Sequence, residues 1–430
     1  MRFGNHRMGA IDMDTNLHGW NRKVLLGTVL LALSLPSHAA EIGKPIAGLA
    51  NMVEQAWRRN PLAAGQEARE AEARAAQGVA AGLTPEPPSI SLGNLNDRQG
   101  RNAGKQEWEV EFAVPLWLPG QKDARVAEAD SRAGETAARR AADKLSVAGE
   151  VRDAWWSLAA ARTAQSLALR RLDTARALDG DVQKRFKVGE LSRIDANLAH
   201  GEVLAAETDL IESKAALLQA EQAFRLLTGV DAPAELGDEV VATGRATTED
   251  AAIGDSHPRL AAAATASHSA WARVKVADET RRAAPELSLR VVRDRNDFAE
   301  PYGNNIGVKL KIPFSSGSQV RRENSAAQAE AEKADAEMRQ TEMRVRQEIE
   351  RSRRALDAAE RQLRMADERR ALSADNLRLA EKSFTLGESD LPTLLRIRAA
   401  AFETETNYDR QRLSRAAAIS RLNQSLGVLP

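Results

Sequence analysis

The 430-residue chain contains no cysteine. That excludes disulfides, thiolate metal sites and a cysteine on which a mature N-terminus could be acylated. Histidine is scarce: of six, only His200, His257 and His268 lie beyond residue 40. No pair of them has the i, i+4 spacing of a zinc-protease helix. Neither charge is in excess, with 61 basic against 61 acidic residues, so the basic footprint of a nucleic-acid binder is missing. No apolar run approaches the ~20 residues of a membrane-spanning helix. A chain like this can cross a bilayer only as a closed β-barrel. No nucleophile, base and metal cluster converge in the sequence, which predicts a non-enzyme without a cofactor.

What is present begins with residues 1–40, which read as an export signal. Arg22 and Lys23 precede an apolar run from Val24 to Leu35, and Ser37-His38-Ala39-Ala40 offers small residues for cleavage. A retained anchor is the alternative, but the run is short for one. The stretch before Trp20 is long for a positively charged leader and points to Met8 or Met13 as the start. Removing the signal leaves 57 basic against 59 acidic residues.

The rest of the chain is duplicated. Phe186-Lys-Val-Gly-Glu recurs as Phe384-Thr-Leu-Gly-Glu, Pro115 matches Pro313, and Gly229 matches Gly427, each 198 residues apart. Asn60-Pro61 matches His257-Pro258, and Pro88 matches Pro285, each at an offset of 197. A period this long is no solenoid repeat; it means two copies of one structural unit. The units are placed at 41–230 and 256–430, joined by a linker at 231–255. Each unit reads as a helix, two strands, a very long helix and a returning helix. The first helices are predicted from Gly48 to Gly82 and from Pro258 to Ala284.

The strands alternate with period two. Trp108, Val110, Phe112 and Val114 share one face in the first unit, and Glu107, Glu109 and Glu111 share the other. In the second, Ile306, Val308, Leu310 and Ile312 oppose Lys309 and Lys311. Ile90 and Leu92, then Leu287, Leu289 and Val291, open the partner strands. At about ten residues the strands are long enough to cross a bilayer tilted. One reading is a small soluble sheet with one wet face. The other places Trp108, Val110, Phe112, Ile306, Val308 and Leu310 against lipid. Four strands are too few to close a barrel with a lumen, whereas three subunits would supply twelve. The segments Asp97–Lys105 and Arg293–Asn305 carry turn chemistry and no apolar face.

Gln121–Phe186 and Gln319–Phe384 hold no proline, and each would run about 98 Å as one helix. Helices of that length must pair as coiled coils or close an α-barrel; a solvated structural coiled coil is the plainer alternative. Candidate seams are Leu145, Ala148, Val151, Trp155 and Leu158, then Ile349, Leu356 and Leu363, then Leu204, Ile211 and Leu218. The reversals are sharply marked. Val188-Gly189-Glu190-Leu191 breaks the first long helix, and Ser192–Asp195 restarts it as a capping box. Leu386-Gly387-Glu388-Ser389-Asp390 breaks the second, with Pro392 early in the next helix.

With its repeat, strand pairs and the turns Phe186-x-Val-Gly-x-Leu-Ser and Phe384-x-Leu-Gly-Glu-Ser-Asp, the sequence resembles the TolC family of outer-membrane efflux proteins. The resemblance spans nearly the whole mature chain. It implies a mainly α-helical homotrimer, an α-barrel in the periplasm continuous with a twelve-stranded β-barrel in the outer membrane. It implies a passive exit duct whose tip, at Val188, Gly189, Leu191, Leu386 and Gly387, docks onto a periplasmic adaptor. An inner-membrane pump of the resistance-nodulation-division type would supply energy and selection. Gly387–Arg396 looks like the CzcC-like branch that serves heavy-metal resistance, which implies metal cations as cargo. Ser389 stands where the docking motif has a further apolar residue. Asp195, Asp390 and Arg396 are candidates for charged links that close the pore, and helix capping is the alternative role of the two aspartates. Rival readings are a periplasmic adaptor, which normally has a single helical hairpin, and a structural coiled-coil protein. Organic toxins or secreted proteins are the alternative cargoes.

Overall fold

The computed structural model describes residues 47–242, 256–314 and 317–430. The export signal at 1–40 lies outside them, as does the second half of the linker, 243–255. The first unit opens with α1 (Ala47–Arg59) and α2 (Pro61–Ala80), followed by β1 (Ser89–Asn96), β2 (Gln106–Pro115), α3 (Gln121–Lys187) and α4 (Arg193–Thr228). The second runs α5 (Pro258–Glu279), β3 (Glu286–Arg295), β4 (Gly303–Lys311), α6 (Gly317–Thr385) and α7 (Leu391–Ser425).

One predicted helix proves to be two. The chain breaks at Asn60, whose side chain accepts from the Leu62 N–H at 2.9 Å, and Pro61 opens α2. Proline lacks the N–H that a continuous helix would need, and its ring disfavours a helical residue before it. The matching dipeptide does the same in the second unit. His257 Nδ1 accepts from the Arg259 N–H at 3.1 Å, so Nε2 carries the proton and donates to the Ser425 carbonyl at 3.2 Å. Asparagine and histidine thus serve one capping position in two copies of the fold. α5 also stops short of the predicted Ala284, at Glu279.

The four strands form one antiparallel sheet in the order β1-β2-β3-β4. The second polar loop is shorter than predicted, because Arg293 and Asp294 pair with Asn304 and Gly303, and Asn305 with Val292, in the β3–β4 ladder. α3 and α6 are the spines of the molecule at 67 and 69 residues, each about 100 Å long. Nearer the sheet the packing order is α2–α3–α5–α6; towards the reversals it is α4–α3–α7–α6. In every tier one flank belongs to the first unit (α2, β1 or α4) and the other to the second (β4 or α6).

The core lies midway along α3. Leu145, Val151, Trp155 and Leu158 are fully buried, as the three-four spacing requires, and the last three pack with Leu49, Val53 and Trp57 of α1, Phe224 of α4 and Ala417 of α7. The Trp155 and Phe224 rings lie 6.3 Å apart. Part of the segment between the units is a strap on this core, since Trp155 Nε1 donates to the Gly237 carbonyl and Leu236 packs alongside. The third predicted seam does not pack within the single chain. α4 meets α3 through Ala199, Val203, Ala206 and Leu210, while Leu204, Ile211 and Leu218 are exposed. α4 carries two apolar stripes, and the one with the smaller side chains lets the helix axes approach more closely.

Candidate functional site

The sheet has one apolar and one charged face, and the register fixes which residues share each. One cross-strand row is Ile90–Phe112–Leu289–Val308, and the next is Leu92–Val110–Val291–Ile306. Trp108 and Leu310 extend the same face. All of these side chains are exposed, Ile306 to 76 % and Val308 to 73 %. An apolar patch of this extent is an interaction surface rather than random surface composition. The opposite face is held by ion pairs. Lys309 meets Glu111 at 2.7 Å, and Arg290 reaches Glu109 at 2.7 Å and Glu107 at 3.2 Å. β1 and β4 are open edges, each with a row of backbone groups free to pair with a further strand.

The helical flanks are open in the same way. Leu204, Ile211 and Leu218 repeat every seven residues along α4, and Met365, Leu372 and Leu379 do so along α6. All are half exposed or more. Sequence periodicity found the α4 stripe without assigning it a partner, and it missed the α6 stripe.

Far from the sheet, the two reversals are built alike. Gly189 takes φ +85° and Gly387 φ +76°, the left-handed region where a side chain is strained. Gly189 N–H donates to the Phe186 carbonyl and Glu190 N–H to Arg185; Gly387 and Glu388 repeat both bonds onto Phe384 and Ser383. This is the Schellman closure, which satisfies the last helical carbonyls. The restart differs between copies. Ser192 and Asp195 form a reciprocal capping box ahead of α4. At the equivalent of Ser192, Asp390 caps α7 by accepting from the Thr393 N–H at 3.0 Å. Hydrogen bonds from Thr393, with a smaller effect of the Arg396 charge, hold the Asp390 carboxyl below the usual aspartate value. Both aspartates therefore act as caps here, and Arg396 is exposed beside Asp390.

Beneath the turns, Leu178, Val182, Ala199, Phe384, Leu391 and Leu394 join the two hairpins in one apolar cluster. The Arg185 guanidinium lies over the Phe384 ring at 5.4 Å. Phe186, its counterpart in the repeat, is partly exposed. Leu191 packs against the cluster, so the free apolar side chains at this end include Val188, 72 % exposed, Leu386, 63 %, and Ile194 in the first turn of α4, 71 %. Above the cluster a cavity of about 580 Å³ separates α3 from α6 and α7. Ion pairs bridge α3 to its neighbours there: Arg171 to Glu202 at 2.8 Å and to Asp209, and Arg170 to Glu405 at 3.1 Å. Arg171 also lies over the Phe402 ring at 5.0 Å. Sequence reasoning missed this layer, because charges on a long helix look alike until their partners are placed.

Among the described residues, no group of three or more His, Asp or Glu side chains could hold a metal ion. No described helix is long and apolar enough to cross a membrane.

The family model of the outer membrane efflux protein matches residues 52–230 and 253–428, once for each structural unit. The chain belongs to the outer membrane efflux protein family. Protein CyaE of Bordetella pertussis is 26 % identical over 287 residues, a match covering 61 % of this chain and 59 % of that protein. The fold is shared with solved structures of low identity. A membrane protein from Pseudomonas aeruginosa has a TM-score of 0.73 at 19 % identity, covering 89 % of this chain and 94 % of its own. VceC from Vibrio cholerae, an outer membrane protein, has 0.70 at 16 %, covering 88 % and 96 %. CusC, whose crystal structures concern transmembrane channel formation, has 0.73 at 16 %, covering 89 % and 92 %. Membership in a family of outer membrane efflux proteins is consistent with a duct rather than an enzyme.

Proposed function

We propose that three copies of this chain close into an outer-membrane duct, the last component of a tripartite efflux system. The observation that carries this reading is the pair of open flanks. A four-stranded sheet with an exposed apolar face and two free edges is not a finished structure in water. Its helices repeat the problem, with one apolar heptad stripe on α4 and another on α6. Joining the α4 flank of one copy to the α6 flank of the next is a heterologous contact, and such contacts form a ring when the rotation closes. Three copies give twelve strands, with Val110 and its neighbours towards lipid and Glu109 towards the lumen.

In this reading the helices stand in the periplasm. Val188, Gly189, Leu386 and Gly387 present the tip to a periplasmic adaptor, with Leu191 buttressing the turn. A pump of the resistance-nodulation-division type in the inner membrane selects and drives the cargo. The duct is passive. The cargo assigned is heavy-metal cations, supported by the resemblance of Gly387–Arg396 to the CzcC-like branch. Native mass spectrometry of detergent-extracted protein tests the assembly, with a three-chain mass expected and a monomer alone contradicting it. Metal accumulation in cells with and without the chain, its pump present, tests the cargo; equal accumulation would remove the metal assignment.

A further inference from the structure

The apolar face of the sheet ends in arginine. Beyond the rows of Ile90 and Leu92, the next cross-strand row on that face is Asn94–Trp108–Arg293–Asn304, and Asn96, Gln106 and Arg295 follow. These rows lie at the end of the sheet away from the helices. Alternation separates the charges here. Glu107 and Asp294 belong to the opposite face, while Arg293 and Arg295 stand just past the apolar rows, with Trp108 at the border. The Tyr302 ring meets both guanidiniums, 4.9 Å from that of Arg293 and 4.8 Å from that of Arg295, and its hydroxyl donates to Gln106 Oε1 at 2.7 Å. Arg295 also lies over the Phe298 ring at 5.3 Å and donates to the Gly104 carbonyl at 3.1 Å. Neither arginine forms an ion pair among the described residues. The loop carboxylates nearby are committed to backbone: Asp97 accepts from the Ala103 N–H, Asp297 from those of Ala299 and Glu300, and Glu300 from that of Asn296. The first loop adds Arg98, Arg101 and Lys105, all exposed.

We infer that Arg293 and Arg295, braced by Tyr302, clamp the phosphate groups of outer-leaflet lipid headgroups. The inference rests on the barrel reading, in which the apolar face meets lipid and the loop end lies outside. An indole at the border of an apolar band marks the level where acyl chains give way to headgroups. Cations just past that level meet the anionic part of the lipid. The guanidinium suits this partner, because its planar fork matches two phosphate oxygens and is more weakly hydrated than an ammonium. Stacking on Tyr302 orders both side chains beforehand, so less freedom is lost when phosphate binds. The contact belongs to one face only. Lys309 and Lys311 stand on the other face and are paired with Glu111 and Glu286.

The experiment is native mass spectrometry of the purified full-length protein in detergent, which reads assembly and lipid adducts in one spectrum. The protein is titrated with diphosphoryl lipid A and, separately, with the same lipid stripped of its phosphates. The wild type should bind the phosphorylated lipid more tightly. Arg293→Gln combined with Arg295→Gln should weaken that binding by roughly 30-fold, leaving the assembly and the binding of the stripped lipid unchanged. Lys309→Gln combined with Lys311→Gln removes the same charge from the opposite face and should leave both affinities unchanged. Equal binding of the two lipids by the wild type overturns the inference. So does a loss in the lysine variant that equals the loss in the arginine variant, or no loss in either. A wild type that binds neither lipid and does not float with phosphatidylcholine vesicles fails the barrel reading itself, and the inference with it.

Discussion

Arg152 of α3 grips Glu239 of the inter-unit strap with two N–H groups, Nε at 3.0 Å and Nη2 at 2.8 Å, and both side chains are buried. The same guanidinium donates to Gln424 of α7 and to the Val428 carbonyl at 3.0 Å, and Ser420 donates to Glu239. One residue therefore ties the first unit, the strap and the C-terminal segment together. A buried, fully bonded pair leaves a costly uncompensated charge when one partner is removed. Arg152→Ala should destabilise the fold by roughly 3–5 kcal/mol. Paired apolar replacement, Arg152→Met with Glu239→Leu, should recover much of that loss. Thermal unfolding in detergent checks both; equal losses would show that the bonds matter through shape alone.

The Asp390 cap carries a pH signature. Its carboxyl is held below the usual aspartate value, chiefly by hydrogen bonds from Thr393. A folded-state value below the unfolded one means that the charged form supports the native turn. That support is present above the unfolded value and is lost as pH falls through the lower folded value. Hydrogen-exchange protection at 386–396, after correction for the intrinsic pH dependence of amide exchange, should therefore fall only below about pH 4. Asp390→Asn keeps a good capping acceptor, so its protection factors at this turn should not change across that window. Acid sensitivity that persists in the variant would place its source elsewhere.

The two faces of β2 should respond in opposite ways to substitution. Val110→Arg puts a charge between Leu92 and Val291 on the proposed lipid side, where it should cost roughly 2–4 kcal/mol near mid-membrane. On the lumen side, arginine at 109 would face Arg290, so Glu109→Gln is the better comparison. Yields of heat-resistant trimer in outer-membrane fractions provide the measure. Equal yields would contradict the assignment of faces.

At the tip, Val188 is the more informative probe than Leu191. Leu191 packs on the cluster that holds the hairpins together, so a charge there would disturb the turn as well as any contact. Val188→Asp should leave assembly and protease resistance unchanged while abolishing efflux. Full efflux in that variant would make these turns ordinary helix reversals.

The sequence revealed structure wherever a feature repeats within one element. Strand alternation put Trp108, Val110 and Phe112 on one face, and the absence of proline gave α3 its length. The glycines at 189 and 387 marked both reversals to the residue. Features that depend on a partner were hidden. Periodicity could show that Leu204, Ile211 and Leu218 share a stripe, but not that alanines would take the place beside α3. Nothing local distinguishes Arg152, which is buried, from the many arginines that line the helices. The matched phenylalanines 186 and 384 look equivalent in sequence, yet only Phe384 lies between the hairpins.

Closure of the ring is tested most directly by cysteine cross-linking, for which the cysteine-free chain is an ideal background. Ile211 lies 18 residues beyond the start of α4 and Met365 lies 20 before the end of α6. Both therefore stand about 27–30 Å above the tip, on opposite flanks. Oxidation of protein carrying Ile211→Cys and Met365→Cys in one chain should give covalent products that stop at three chains. A ladder running past three would mean an open filament, and a mixture of monomers and dimers alone would mean that no ring forms; either result contradicts the trimeric duct.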